Sequence, residues 1–278
     1  MKREQLAINS ISTRQAGLEE ALDAYAATGF PSVEFHLPLV KEWRAAGHTV
    51  EEACRLLDER GLRAIGGFET HVACFASADE RRANHALMRE NARLIHGLGG
   101  GAMVVGTDGP VAMPADPLAA LEPIAAALRE LAVGIADEGL DVAVALEFNW
   151  SPIVRSLQSA VRVARKVDHP QVGVLFDPAH YYVTPTKIED LTAETVPWIA
   201  HVHLDDMRDV PGDLAHCNDD RALPGEGVLD LPALIAQLEE HGYAGRYSIE
   251  MFDAGLWALP AAAAAYRCYQ SLLPLCRD

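Results

Sequence analysis

Four apolar segments in the second half of the sequence each carry a metal-binding side chain at or near their ends. The side chains are Glu147 after VAVAL, Asp177 after VGVLF, His203 within IAHVHL and Glu250 after YSI. A carboxylate that is buried without a partner costs several kcal/mol. These segments hold no matching set of Lys or Arg residues. We therefore expect one divalent cation to compensate all four side chains, with Glu147, Asp177, His203 and Glu250 as its ligands.

The donor types limit the choice of metal. Three carboxylates and one imidazole leave two positions of an octahedral ion for substrate or water oxygens. Hard oxygen ligands with one nitrogen suit Mn²⁺, Mg²⁺ or Co²⁺, with Zn²⁺ as an alternative. We predict one divalent ion per chain and rank Mn²⁺ first.

Other polar side chains follow the same segments. His180 lies three residues after Asp177, where it could reach a bound substrate. Two consecutive aspartates, Asp205 and Asp206, follow the segment that contains the ligating histidine. Because such histidines usually bond to a carboxylate through their other ring nitrogen, we expect one of the two aspartates to orient it.

The mouth of the site is predicted to include Glu69 and His71, which follow the third strand candidate. Arg221 is one of few cations near this acidic set and could hold a substrate hydroxyl or carbonyl oxygen. His201 lies two residues before His203, so the two share one face of the strand. A packed core histidine is the expected role of His201.

Short apolar segments alternate with longer helical patterns along the whole chain. The strand candidates are Leu6–Ser10, Ser32–His36, Leu62–Phe68, Ala102–Gly106, Val142–Phe148, Val172–Asp177, Ile199–Leu204 and Tyr247–Phe252. The helix candidates are 18–28, 49–60, 79–97, 117–138, 156–167, 188–196, 231–241 and 258–273.

Strict alternation of strands and helices predicts a parallel sheet. Eight such units favour a closed (β/α)₈ TIM barrel of the α/β class over an open sheet. An open sheet would be expected to carry a Gly-rich phosphate turn after its first strand, where this sequence reads SIST at positions 10–13. We predict a single TIM-barrel domain over residues 1–278, with its chemistry at the carboxyl ends of the strands.

The composition narrows the possible partners. The chain has 278 residues and a formal net charge of −17, which argues against a broad nucleic-acid surface. No apolar run is long enough to span a membrane, and the first residues, MKREQLAINSIS, lack the apolar stretch of a signal peptide. Five cysteines without a CxxC pair predict a reducing, cytoplasmic location. The apolar helix near the C-terminus is expected to cover the barrel, with a homodimer contact as the alternative.

The motifs LEF, FDPAHYY, HVHLDD, DRALPGEGVLDLPALI and YSIEMF resemble the sugar phosphate isomerase/epimerase superfamily of xylose-isomerase-like TIM barrels. The resemblance is strong over about residues 140–253. It implies that the four predicted ligands form a single divalent-metal site, and that His180 and Arg221 match substrate-contacting positions of ketose 3-epimerases. One position departs from those epimerases, because Ile153 stands where they carry a second glutamate.

The resemblance implies removal of a proton next to a carbonyl of a keto sugar or related polyol, through an enediolate. Glu147 and Glu250 would flank the substrate, one removing the proton and the other returning it. We predict an isomerase or epimerase. The alternative is a lyase of the same superfamily, an inosose or dehydroshikimate dehydratase or a 3-keto-glycoside eliminase, with His180 protonating the leaving oxygen. An endonuclease IV-like phosphodiesterase and a non-catalytic sugar-binding barrel rank below both.

Overall fold

Eight parallel strands close into a barrel in the computed structural model, which describes residues 1–110, 116, 118–149 and 151–277. The barrel strands are β1 Leu6–Asn9, β2 Ser32–His36, β3 Arg63–Phe68, β4 Ala102–Val105, β5 Ala143–Glu147, β6 Val172–Phe176, β7 Ile199–Leu204 and β10 Tyr247–Ile249. They neighbour one another in chain order, and β10 pairs with both β7 and β1. The predicted TIM barrel is confirmed.

A two-stranded ladder follows β7 at the mouth of the barrel. Its strands are β8, Asp206–Met207, and β9, Arg221–Ala222, and they run antiparallel. The ladder returns the chain to the end of β7 after the loop at 208–220. It therefore brings Arg221 back to the carboxyl ends of the barrel strands.

The helices surround the barrel. They are α1 Leu18–Thr28, α2 Leu37–Ala45, α3 Val50–Glu59, α4 Ala78–Gly97, α5 Leu121–Asp137, α6 Leu157–Val167, α7 Pro178–Val183, α8 Leu231–Glu240, α9 Ala254–Trp257 and α10 Ala261–Leu272. Side-chain caps set several starts: Thr49 accepts from the Glu52 N–H before α3, and Ser77 accepts from the Glu80 N–H before α4. Position 117, the first of the helix predicted at 117–138, lies outside the described residues.

One predicted helix, at 188–196, was wrong. The chain forms two short 3₁₀ turns there, Ile188–Asp190 and Val196–Trp198. Thr195 Oγ1 donates to the Asp190 carbonyl at 2.5 Å and accepts from the Thr192 N–H at 2.9 Å. Such local bonds between side chain and backbone compete with helical bonds. The helix of this unit is instead α7, directly after β6.

The main core lies between the strands and the surrounding helices, while a smaller apolar cluster of Val104, Ala145 and Leu175 lies apart from it on three neighbouring strands. Helix α10 packs on α1 and β1, and the ring of Tyr269 meets that of Phe30 edge to face at 5.0 Å. The C-terminal helix therefore covers the barrel, as predicted. Among the described residues, no helix is both long and apolar enough to cross a membrane.

Candidate active site

The four predicted metal ligands lie at the carboxyl ends of four adjacent strands. Glu147 is the last residue of β5, Asp177 follows β6, His203 lies in β7 and Glu250 follows β10. These strands pair in the order β5, β6, β7, β10, so their ends meet at one side of the barrel mouth. His203 Nδ1 lies 3.4 Å from Asp177 Oδ2 and 3.3 Å from Glu250 Oε2.

The donor atoms fit a metal ion. One set, Asp177, His203 and Glu250, offers one atom each within 4.8 Å of the others, and so does a second set, Glu147, Asp177 and His180. Asp177 belongs to both sets. Carboxylate oxygens and one imidazole nitrogen at such separations suit a hard or borderline divalent cation. Glu147, Asp177, His203 and Glu250 could therefore hold the ion, and their role as ligands stays a prediction.

His180 lies beside Glu147 because Asp177 caps α7. The Asp177 side chain accepts from the Ala179 and His180 N–H groups, which places the His180 side chain on the first turn of the helix. His180 Nε2 lies 3.1 Å from Glu147 Oε1, and its Nδ1 lies 3.1 Å from Asn149 Nδ2. Burial alone lowers the pKa of His180, but the carboxylates of Glu147 and Asp177 outweigh it and hold that pKa well above its ordinary value.

Arg221, which we expected near this acidic set, is buried among the carboxylates and supplies a cation that the four strand segments themselves lack. Its guanidinium lies 3.1 Å from Asp177 Oδ2 and 3.0 Å from Glu250 Oε2, and it donates to Asp205 Oδ2. Burial alone raises the pKa of Asp177, but Arg221 and the nearby histidines outweigh it and hold that pKa well below its ordinary value. Arg221 also lines a cavity that opens above these carboxylates. Its contact with a substrate stays a prediction.

The prediction that Asp205 or Asp206 orients His203 was wrong. Asp205 accepts from Arg221 and from the Ala179 N–H. Asp206 instead holds the loop that follows, because its carboxylate accepts from four backbone N–H groups. These belong to Met207, Gly225, Gly227 and Leu229.

Glu34, which sequence reasoning missed, is the carboxylate at the far side of His203. It lies in β2, is fully buried, and contacts Nε2 of both His203 and His201 at 3.1 Å. Burial alone raises the pKa of Glu34, but the two imidazoles outweigh it and hold that pKa well below its ordinary value. The signal was present in the sequence as a carboxylate inside the otherwise apolar strand Ser32–His36. His201 is buried, as expected of a core histidine.

A cavity of about 490 Å³ opens above these groups, a size that suits a small molecule. Both predicted mouth residues, Glu69 and His71, line it, and Glu69 pairs with Lys41 Nζ at 2.6 Å. Glu147, His180 and Glu250 form part of its polar wall. Among the described residues, the apolar part of the wall includes Phe68, Val104 and Phe252.

Comparison with known proteins finds relatives that are isomerases and dehydratases. An inosose isomerase of Halalkalibacterium halodurans is 32% identical over 126 residues, which cover 44% of this chain and 44% of that protein. A 3-dehydroshikimate dehydratase of Pseudomonas putida is 25% identical over 265 residues, 93% of this chain but 40% of that protein. The chain thus aligns with less than half of each relative.

Solved structures and a family model agree on the fold. The crystal structure of an IOLI protein with a bound zinc atom superposes with a TM-score of 0.84 at 21% identity, over 98% of this chain and 97% of that one. The sequence model of the family described as Xylose isomerase-like TIM barrel matches residues 22–272. The chain therefore belongs to the xylose isomerase-like TIM barrel family.

Proposed function

We propose that this protein is a divalent-metal-dependent isomerase or epimerase that acts on a keto sugar or a cyclic polyol ketone. The observation that carries the proposal is the position of two glutamates, Glu147 and Glu250, on either side of the Asp177–His203 pair and in the wall of one cavity. The inosose isomerase relative supports a cyclic polyol ketone as substrate.

Glu147, Asp177, His203 and Glu250 would hold the ion. When bound, the ion supplies a Lewis acid that polarises a carbonyl and stabilises negative charge on its oxygen. The zinc in the IOLI structure supports a divalent metal, and Mn²⁺ remains our first choice from the donor set.

Two glutamates of the chain transfer the proton of the carbon next to the carbonyl. One of Glu147 and Glu250 removes the proton from the carbon next to the carbonyl, and the electrons of that C–H bond form the enediolate. The other glutamate then returns a proton, to the opposite face for an epimerase or to the neighbouring carbon for an isomerase. His180 Nε2 lies 3.1 Å from Glu147 Oε1, so it can orient that carboxylate towards the substrate.

A dehydratase is the second candidate, and the position of His180 favours it. A histidine whose pKa is held above its ordinary value by Glu147 and Asp177 can donate a proton to a departing hydroxyl, while the C–O bond breaks and water leaves. The dehydroshikimate dehydratase relative, aligned over 93% of this chain, supports this candidate. A small carbohydrate or polyol as partner, a homodimer and a cytoplasmic location stay predictions.

Two measurements on one sample test the proposal. Metal content per chain is determined by elemental analysis, and a panel of keto-inositols and ketoses is incubated with the protein in D₂O. We expect one ion per chain and solvent deuterium at the carbon next to the carbonyl. His203→Ala should lose the metal and the exchange, whereas His48→Ala, at a half-exposed histidine stacked on Trp43, should keep both. Several metals per chain, or binding without exchange, would contradict the proposal.

A further inference from the structure

Glu34 reaches the interior of the barrel from the strand opposite the metal-site strands. The pairing of β2 with β3 changes register between Val33 and Glu34. Val33 pairs with Ala64, whereas Glu34 pairs with Gly66, so one residue of β3 is passed over. The pairing of β6 with β7 also changes register, just before His201. Such irregularities re-aim side chains. Here they accompany the two strands whose side chains meet across the barrel.

The contacts of Glu34 indicate which ring nitrogen of His201 and of His203 donates to it. Glu34 Oε1 and Oε2 lie 3.2 and 3.1 Å from His203 Nε2, and Oε2 lies 3.1 Å from His201 Nε2. The carboxylate oxygens of Glu34 act as acceptors, so each imidazole donates to them through Nε2–H. His203 Nδ1 faces the carboxylates of Asp177 and Glu250, and a metal ion bound there would take the place of a hydrogen on Nδ1 while Nε2–H stays on Glu34.

The two rings are held in different planes around the one carboxylate. The His201 and His203 rings lie 5.3 Å apart, centroid to centroid, with 84° between their planes. All three side chains are nearly or fully buried, so water does not compete strongly for these bonds. His201 thus holds Glu34 in place, and Glu34 in turn sets the rotation of the His203 ring.

We propose that Glu34 is a positioning residue that selects the Nε2–H tautomer of His203 and aims its Nδ1 at the metal position. This inference rests on the proposed function, since it needs the metal site at Asp177, His203 and Glu250. A carboxylate that accepts from the ring nitrogen not bound to the metal also makes the histidine a more basic, stronger metal ligand. Removing such a partner typically weakens metal affinity about 10- to 100-fold.

The test measures metal affinity on the whole chain, with Zn²⁺ in competition with a chromophoric chelator and with Co²⁺ by its visible spectrum. Glu34→Leu should weaken both affinities about 10- to 100-fold and change the Co²⁺ spectrum, because the ring is no longer aimed. Glu34→Gln retains one acceptor oxygen and should weaken affinity by less than Glu34→Leu, but by more than about twofold. Ser32→Ala is the matched control: it is buried in the same strand, its hydroxyl has no hydrogen-bond partner among the described residues, and it should match the wild type.

The outcomes separate this inference from the proposed function. If Glu34→Leu fails to fold by circular dichroism, Glu34→Gln carries the test alone. If the folded Glu34 variants bind both metals within twofold of the wild type while His203→Ala loses them, Glu34 has only a structural role and the inference is overturned. If His203→Ala itself keeps the wild-type affinity, the proposed metal site is wrong.

Discussion

Arg221 and Asp205 form a buried ion pair between residues 16 positions apart, with exposures of 1% and 0%. The β8–β9 ladder makes the contact possible, since it folds the intervening loop back on itself. The same guanidinium reaches Asp177 and Glu250. One cation, at the start of β9, thus holds three carboxylates together at the candidate metal site.

Replacing Arg221 should therefore destabilise the metal-free protein. Arg221→Met leaves Asp177, Asp205 and Glu250 without this cation, and breaking one side of a buried ion pair costs about 3–5 kcal/mol. We expect a loss of that size in the free energy of unfolding, measured with urea in the presence of a chelator. Added divalent metal should recover part of it, since the ion replaces some of the missing positive charge.

The control for this variant is Arg82→Met, which removes an exposed arginine paired with Asp79. Exposed ion pairs contribute about 0–1 kcal/mol, so its unfolding curve should nearly match that of the wild type. An unchanged urea midpoint for metal-free Arg221→Met would show that the carboxylates do not depend on this cation.

Asp206 should matter for the loop rather than for the metal. Asp206→Ala removes the acceptor of four backbone N–H groups, and we expect about 3 kcal/mol of lost stability. Gly227→Ala should act in the same direction, because an added Cβ would clash with Asp206 Oδ1 and with the Met207 carbonyl oxygen. Both losses are measured by thermal unfolding against Asp219→Asn, an exposed aspartate of the preceding loop. A transition temperature of Asp206→Ala equal to that of this control would contradict the assignment.

The sequence was informative where chemistry depends on strand order. Glu147, Asp177 and Glu250 could be grouped because each follows an apolar run and the ends of parallel strands share one face of a barrel. The eight strand–helix units and the strand positions could be predicted from the sequence alone, because strands buried on both faces are short runs of apolar residues. Helix α2 was missed because it begins directly after β2, at Leu37, with no turn signal between them.

What the sequence could not give were contacts between distant segments. Arg221 meets Asp177 only because a loop returns through the β8–β9 ladder, and a loop path has no periodic signature. Glu34 meets His203 across the barrel interior, after a register change in the pairing of β2 with β3. A one-residue shift in pairing register moves a strand residue to the other face of the sheet. The contact between Glu34 and His203 therefore depends on the register, which a pattern of apolar residues does not specify.

Glu147→Gln and Glu250→Gln should each reduce turnover far more than substrate binding. Loss of a general base typically costs about 10²- to 10⁴-fold in rate, because the base acts only in the transition state. We expect kcat to fall in that range with KM changed little. Each amide also weakens metal binding, so metal content is measured on the same sample and the assays are run at saturating metal.

Glu130→Gln serves as the comparison for these two variants. Glu130 is an exposed carboxylate of α5 that lies beside Arg81, outside the cavity wall that the described residues form. Its kcat should stay close to that of the wild type. Near-normal turnover of both metal-replete variants, Glu147→Gln and Glu250→Gln, would rule out the two-carboxylate mechanism and move the search for the base to His180.

His180→Gln distinguishes the isomerase from the dehydratase. The amide can still donate a hydrogen bond to Glu147 but cannot deliver an acidic proton. In an isomerase that uses two glutamates, the variant keeps the contact with Glu147 and turnover falls by less than about tenfold. In a dehydratase that uses His180 as its acid, dehydration falls about 10²- to 10⁴-fold while exchange of the proton next to the carbonyl with D₂O continues, since that step needs only the base. We expect the first result with a keto-inositol substrate, measured by product formation and deuterium content in one NMR assay. Persistent exchange with loss of dehydrated product would instead assign the protein to the lyases.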